Sequence, residues 1–304
     1  MKRPDEKELR DYDVFYKSDT DFASHARLLQ SKWRVSQGLK MNNTPKSNYG
    51  NFVDTDIAKA EKANFMTDNI KKLISEKLLE IRSKGGLVGE PRIWNNLLSS
   101  QPLCFNLFGE LHYDLDLAAR FFNKLFPNKI SSVTKVDFEF SSKRNSPDNS
   151  AFDVYVEYLY NEKKHFFGIE VKYQENLLEE TSLKAAENFA KHKNEYIKLT
   201  DDSKFFQPNA IEKLQFAPLA QMWRDHLLAF NMTDKNISGS FIFLYPFDND
   251  ECIKVVSTYQ TLLASDSEEQ TKFYPRDLAN FIRTLNEIHD TKWTQQLIER
   301  YLGE

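Results

Sequence analysis

Two carboxylates and one amine stand out by type and spacing: Asp153, Glu170 and Lys172. Carboxylates offer the hard oxygen donors that suit Mg²⁺ or Mn²⁺. An ammonium beside them can orient a water and offset negative charge building on a reacting group. The same three residues also fit a plainer description, a cross-strand ion pair of Asp153 with Lys172 next to an ordinary strand acid. Their positions alone leave both open. All three fall in SAFDVYVEYLYNEKKHFFGIEVKY, residues 150–173. It reads as two strands, 152–160 and 165–173, around the polar turn Asn161-Glu162-Lys163-Lys164. Glu170 and Lys172 are two positions apart and so share a face. A turn centred on Glu162-Lys163 sets Asp153 opposite Lys172 and Tyr155 opposite Glu170, which gathers the three on one side. The other side carries Phe152, Val154, Val156 and Tyr158 against Phe167, Ile169 and Val171. A turn of odd length would flip one strand and scatter the cluster.

The order Asp153, second strand, Glu170-x-Lys172 resembles the D…(D/E)xK signature of the PD-(D/E)xK, or restriction-endonuclease-like, nuclease superfamily. NNLLSSQPLCFNLFGEL (95–111), GIEVKY (168–173) and QMWRDHLL (221–228) add a likeness to an uncharacterised bacterial branch of it. The resemblance implies an α/β fold, a central mixed β-sheet flanked by α-helices. It implies a metal-dependent nuclease acting on phosphodiester bonds, with DNA as the expected partner. Asp153 and Glu170 would be ligands of Mg²⁺ or Mn²⁺, with the Val171 carbonyl and a contribution from Glu110 on the helix before the sheet. Lys172 would orient or polarise the attacking water. Gln221 matches a polar group often found near the scissile phosphate, and Arg224 would grip a phosphate in two-pronged fashion. An inactive nuclease-fold module that binds nucleic acid or a protein partner is the alternative, and another carboxylate–metal chemistry a third reading.

Several residues compete for these roles. Pro147-Asp148 is a literal "PD", but it lies beyond the paired strands and reads as a turn, so Asp153 is preferred. Asp114, one turn after Glu110, is a weaker candidate. By spacing alone Glu110 is a surface or capping acid, and Arg224 pairs with a nearby acid while Trp223 is core. Lys143 and Arg144, in the loop before Asp148, could touch a phosphate backbone, as could Lys40 and Lys46; solvated lysines are the default. His192 has no His or Cys at metal spacing and reads as surface.

The elements that must position these groups follow from periodicity. Apolar residues near one face suggest a helix over 22–33, and one or two helices over 54–82 with Asp54 or Thr55 as N-cap and Gly85-Gly86 at the end. Leu107, Leu111, Leu115, Ala118, Phe122 and Leu125 suggest a single helix up to about Phe126, stopped by Pro127. Strands are expected at 134–140 and 241–245. Helices are expected over 183–199, within 208–230 starting or kinking at Pro218, and over 277–302. The division expected is 1–94, a helical region packed on the core, and 95–304, the nuclease-like core.

Composition excludes more than it selects. With 304 residues, 40% apolar and 24 Phe, the chain can bury an aromatic core and is not disordered. A net charge of −4 lends no support to nucleic-acid binding through bulk charge. Two cysteines, Cys104 and Cys252, exclude a four-Cys zinc or iron–sulfur site. The start lacks an apolar signal segment, and no run reaches the ~20 apolar residues that span a bilayer. A soluble cytoplasmic protein is expected.

Overall fold

Asn161 and Glu162 both take positive φ, 50° and 60°, the left-handed pair that lets a two-residue turn follow the right-handed twist of its strands. In the computed structural model these two residues alone close the hairpin. Lys163 and Lys164 already belong to a strand, and Tyr160 pairs with Lys163. Tyr155 therefore faces Gly168, not Glu170, and Val154 faces Ile169. The partners differ from the expected ones by two positions. An even shift keeps each paired residue's side of the ladder; the ladder runs from Tyr160–Lys163 to Val154–Ile169, and Asp153 and Glu170 lie just beyond its end.

The structure describes residues 1–45, 47–83, 89–140, 147–148, 150–175, 177–179 and 183–304. Lys46, Gly85-Gly86, Lys143 and Arg144 lie outside them. In chain order the elements are α1 (Glu6–Asp11), α2 (Asp21–Ser36), α3 (Thr55–Glu61), α4 (Asp68–Ser83), α5 (Arg92–Asn95), α6 (Ser100–Tyr113), α7 (Leu115–Leu125), β1 (Ser132–Phe140), β2 (Phe152–Tyr160) and β3 (Lys163–Val171). Then come α8 (Leu183–Ser203), α9 (Ile211–Leu214), α10 (Leu219–Asn231), β4 (Ile237–Tyr245), α11 (Asp250–Gln260), α12 (Glu268–Thr271), β5 (Phe273–Asp277), α13 (Leu278–Ile288) and α14 (Lys292–Tyr301). Contacts gather them into two units. The first is Met1–Leu117 with Val171–Glu175 and Leu278–Glu304; the second is Ala118–Glu170 with Asn176–Asp277.

The second unit holds a five-stranded mixed sheet in the order β1-β2-β3-β4-β5. β1, β2 and β3 are antiparallel neighbours, and β4 and β5 run parallel. Helices cover both faces. Phe122 of α7 and Phe126 just past its end stack on Phe167 at 5.9 and 4.6 Å. The neighbouring Phe166 points the other way, into a core with Phe189 and Tyr196 of α8, Trp223 of α10 and Phe241 of β4. Sequence reasoning missed β5, FYPRD, because Pro275 argues against a strand. At the sheet edge a proline costs no ladder bond.

Phe152 departs from the expected alternation. Its ring packs against Phe166 and Phe241, at 6.2 and 6.5 Å, in the same cluster as Tyr155 rather than with Val154 and Val156. Gly168 makes the room: a Cβ there would lie 2.3 Å from the Phe152 ring.

In the first unit the expected 54–82 segment is two helices. Asp54 caps α3, accepting from the Asp56 and Ile57 amides. Lys62 then takes φ 52°, and the Thr67 hydroxyl caps α4 at Ile70 N, 3.2 Å. The single helix expected up to Phe126 is also broken. Asp114 Oδ1 accepts from Leu117 N at 2.8 Å, so Asp114 ends α6 and caps α7. The unit is tied by a fully buried arginine, Arg300 of α14. Its Nε donates to Gln30 Oε1 at 3.0 Å and its Nη1 to Asn64 O at 2.9 Å. Its guanidinium lies 4.1 Å from the Trp33 ring centroid.

Candidate active site

Glu170 is the next-to-last residue of β3 and only 4% exposed. A buried carboxylate needs a hydrogen-bond partner. Gln221, on the first turn of α10, donates from Nε2 to Glu170 Oε1 at 2.6 Å. A primary amide fixes the plane of a carboxylate and brings no charge of its own. Lys172 follows one residue past the end of β3 and is also buried. Asp153 is half-buried, one residue into β2.

The chain just after Lys172 is anchored in the first unit. The Tyr173 hydroxyl accepts from Gln30 Nε2 at 3.1 Å, and its ring meets Phe22 and Tyr301 edge-on. Burial pushes its phenol far up, so it stays neutral.

Arg224 and Asp148 sit together, as the residue-level reading of Arg224 allows. Arg224 Nε lies 3.3 Å from Asp148 Oδ2. Asp148 Oδ1 accepts from Ser150 N at 3.1 Å and from Ser150 Oγ at 2.5 Å. The Tyr196 side chain of α8 lies beside the same carboxylate. Burial pushes the Asp148 carboxyl up, but these hydrogen bonds and the guanidinium outweigh it and hold the group below the usual range. Asp148 is a turn residue, as expected, and also a buried hub. Nothing in the sequence pointed to Tyr196. The hub's one visible signal was Ser150, two residues after an Asp, the spacing of an Asx turn.

Glu110 belongs to the first unit. It accepts from the Thr67 hydroxyl and from Asn69 Nδ2, 2.9 Å for the latter. With Asp114, His289 and Lys292 it lines a cavity of about 270 Å³. Lys143 and Arg144 lie outside the described residues. His192 is 3.5 Å from Glu195, and Lys191 and Lys193 are exposed. Both cysteines are buried and free.

Asp153 and Glu170 are hard oxygen donors, and the Val171 carbonyl is a third of the same kind. Among the described residues no group of three His, Cys, Asp or Glu side chains gathers as a metal site would. Magnesium does not need one, since it keeps several waters and takes one or two carboxylates together with substrate phosphates. The donor chemistry fits Mg²⁺ or Mn²⁺ and does not fit zinc, which prefers nitrogen and sulfur. Among the described residues no helix is long and apolar enough to cross a membrane.

A family model described as the PD-(D/E)XK nuclease superfamily matches residues 17–303. No curated protein and no solved structure gives a significant match. The matched span takes in the mixed sheet, its flanking helices and the Asp153, Glu170 and Lys172 positions together. The chain belongs to the PD-(D/E)XK nuclease superfamily.

Proposed function

We propose that the protein is a Mg²⁺- or Mn²⁺-dependent nuclease that hydrolyses phosphodiester bonds in DNA, with Asp153, Glu170, Lys172 and Gln221 as its working residues. The observation that carries this reading is the Gln221–Glu170 hydrogen bond. It joins the two motif positions expected on separate elements, and it orients a buried carboxylate through a neutral amide. When bound, the divalent ion supplies counter-charge for the phosphoryl oxygens and acidifies a water. Asp153, Glu170 and the Val171 carbonyl would hold it. Gln221 keeps Glu170 in one rotamer, which spares the reaction that reorganisation. The Lys172 ammonium orients the attacking water and offsets the growing negative charge. Glu110, engaged by Thr67 and Asn69, is not needed for this set.

Calorimetric titration with Mn²⁺ and a nicking assay on supercoiled DNA, for wild type and Asp153→Ala, test the reading. Metal binding and nicking that both disappear in the variant support it. Metal binding without cleavage of single-stranded DNA, double-stranded DNA or RNA favours an inactive binding module. No metal binding by wild type, even with DNA present, sinks it.

A further inference from the structure

α10 makes two polar contacts on residues three apart, and so on neighbouring parts of one face. Gln221 holds Glu170 near the end of β3. Arg224 holds Asp148, which precedes β2. The Asp148 carboxylate is committed on both oxygens, Oδ1 to Ser150 and Oδ2 to Arg224. Its exposure is 6% and that of the Arg224 side chain 15%, which leaves little room for a phosphate on the guanidinium.

The frame behind this contact is firm. Tyr196 and Trp223, both buried, pack at 5.2 Å between ring centroids. Trp223 Nε1 donates to Thr200 Oγ1 at 3.1 Å, and Thr200 Oγ1 donates to Tyr196 O at 2.7 Å. α8 and α10 are thereby locked to each other, and both reach Asp148. Downstream, Phe152 is wedged into the slot that Gly168 leaves open. Asp153 is the next residue. Phe152 pairs with Phe140 of β1 but departs from the strand alternation, so a contact at Asp148 acts on the chain just ahead of Asp153.

We propose that Asp148 and Arg224 are positioning residues: their ion pair pins the start of β2 to α10, and thus sets Asp153 relative to the Glu170 that the same helix holds through Gln221. The proposal rests on the nuclease reading for its effect on cleavage, but the pinning itself is readable without activity. Asp148→Asn keeps an oxygen acceptor and loses the charge; Arg224→Gln keeps a donor and loses the charge.

Three measurements on Asp148→Asn, Arg224→Gln and the double variant test it in the full chain. Amide hydrogen exchange over residues 152–155 is expected to rise at least severalfold in both single variants and no further in the double. The Mn²⁺ concentration for half-maximal nicking is expected to rise about tenfold, with the lost rate recovered at high Mn²⁺ and with DNA binding in Ca²⁺ unchanged. A merely structural loss would lower activity without a metal-dependent rescue. Unchanged exchange at 152–155 overturns the proposal whatever the nicking assay gives. Arg224→Gln that weakens DNA binding while Asp148→Asn does nothing also overturns it, and makes Arg224 a phosphate contact. Absence of nicking by wild type defeats the nuclease reading alone, and the exchange result still decides the pinning.

Discussion

Arg300 and Glu170 are both ionisable and both buried, and the partners that hold them differ. In the first unit, the Arg300 donors are met by neutral acceptors, the Gln30 and Asn64 side chains and the Asn64 carbonyl. These acceptors are held in turn: Gln30 donates to the Arg300 carbonyl, and Asn106 Nδ2 donates to Asn64 O at 2.9 Å. Burial lowers the Arg300 pKa, yet an arginine stays charged, and the network closes around it. In the second unit Glu170 is oriented by an amide that brings no charge. A saturated network suits a structural joint. A buried carboxylate oriented by a neutral amide suits the cation-holding role proposed for Glu170. Asp148 lies between them, a second-unit carboxylate whose charge Arg224 answers.

The contrast breaks if activity and stability fail to separate. Glu170→Gln keeps the shape and an acceptor for Gln221 but removes the charge. Nicking is expected to fall by about 10³-fold or more, with unfolding free energy unchanged or higher, since a buried charge is removed. Single-turnover nicking and a urea melt on the same preparation check it. A stability loss matching the activity loss would place Glu170 with Arg300 as a structural group.

Arg300→Met is expected to do the reverse. It strands the Gln30 and Asn64 oxygens in the interior, at a cost of about 3–5 kcal/mol, read as a lower urea midpoint. The variant's folded fraction should nick DNA at the wild-type rate. A folded variant with slowed nicking would show that the joint serves the site as well.

The candidate residues stood out in the sequence more than their supports did, and the reason is physical. Asp153, Glu170 and Lys172 lie close in sequence on a hairpin, where period-two alternation carries information. β2 was readable because Val and Tyr recur in it. The register was off because Asn-Glu is not the Asn-Gly that marks a two-residue turn, so Lys163 and Lys164 read as turn residues. The break at Asp114 was hidden since Leu111, Leu115 and Ala118 keep the helical period across it; only a capping carboxylate interrupts the chain there. Arg300, Gln30 and Asn64 come from distant segments, and no local pattern joins them. Gln221 was found through resemblance alone. From spacing it is one more polar residue on an amphipathic helix.

His226 sharpens the comparison from within the second unit. It is fully buried on α10. Its Nε2 lies 2.6 Å from the Thr271 carbonyl, which can only accept, so Nε2 carries the proton and Nδ1 accepts from the Tyr259 hydroxyl at 2.9 Å. Phe205 stacks on the ring at 4.8 Å. Burial pushes its pKa down from 6.5 to about 4. The unfolded chain thus takes up a proton near pH 6.5 and the folded one only near pH 4. Stability is full above pH 6.5 and declines as the pH falls toward 4, by up to ~3 kcal/mol. Urea melts at pH 7.5 and 4.5 on wild type and His226→Gln isolate this part, and the variant should lose less on acidification. Equal losses would mean that His226 is not the group responsible, and would remove it from the closed, structural class that Arg300 defines.

Gly168→Ala probes the place where core and site meet. The added methyl would lie 2.3 Å from the Phe152 ring, too close for any ordinary contact, so the ring must move. Overpacking of this kind costs about 1–3 kcal/mol, smaller than the loss at Arg300. Phe152 precedes Asp153, so the displacement also reaches a proposed metal ligand, and nicking should fall together with the urea midpoint. Adding Phe152→Leu opens space for the methyl. The double variant should therefore regain part of both, at the same Mn²⁺ concentration. If Gly168→Ala lowers stability and leaves nicking untouched, Phe152 belongs to the core alone and Asp153 is held independently of it. If nicking falls and the added Phe152→Leu restores only the urea midpoint, the methyl acts on Glu170, two residues along the same strand, and not through Phe152.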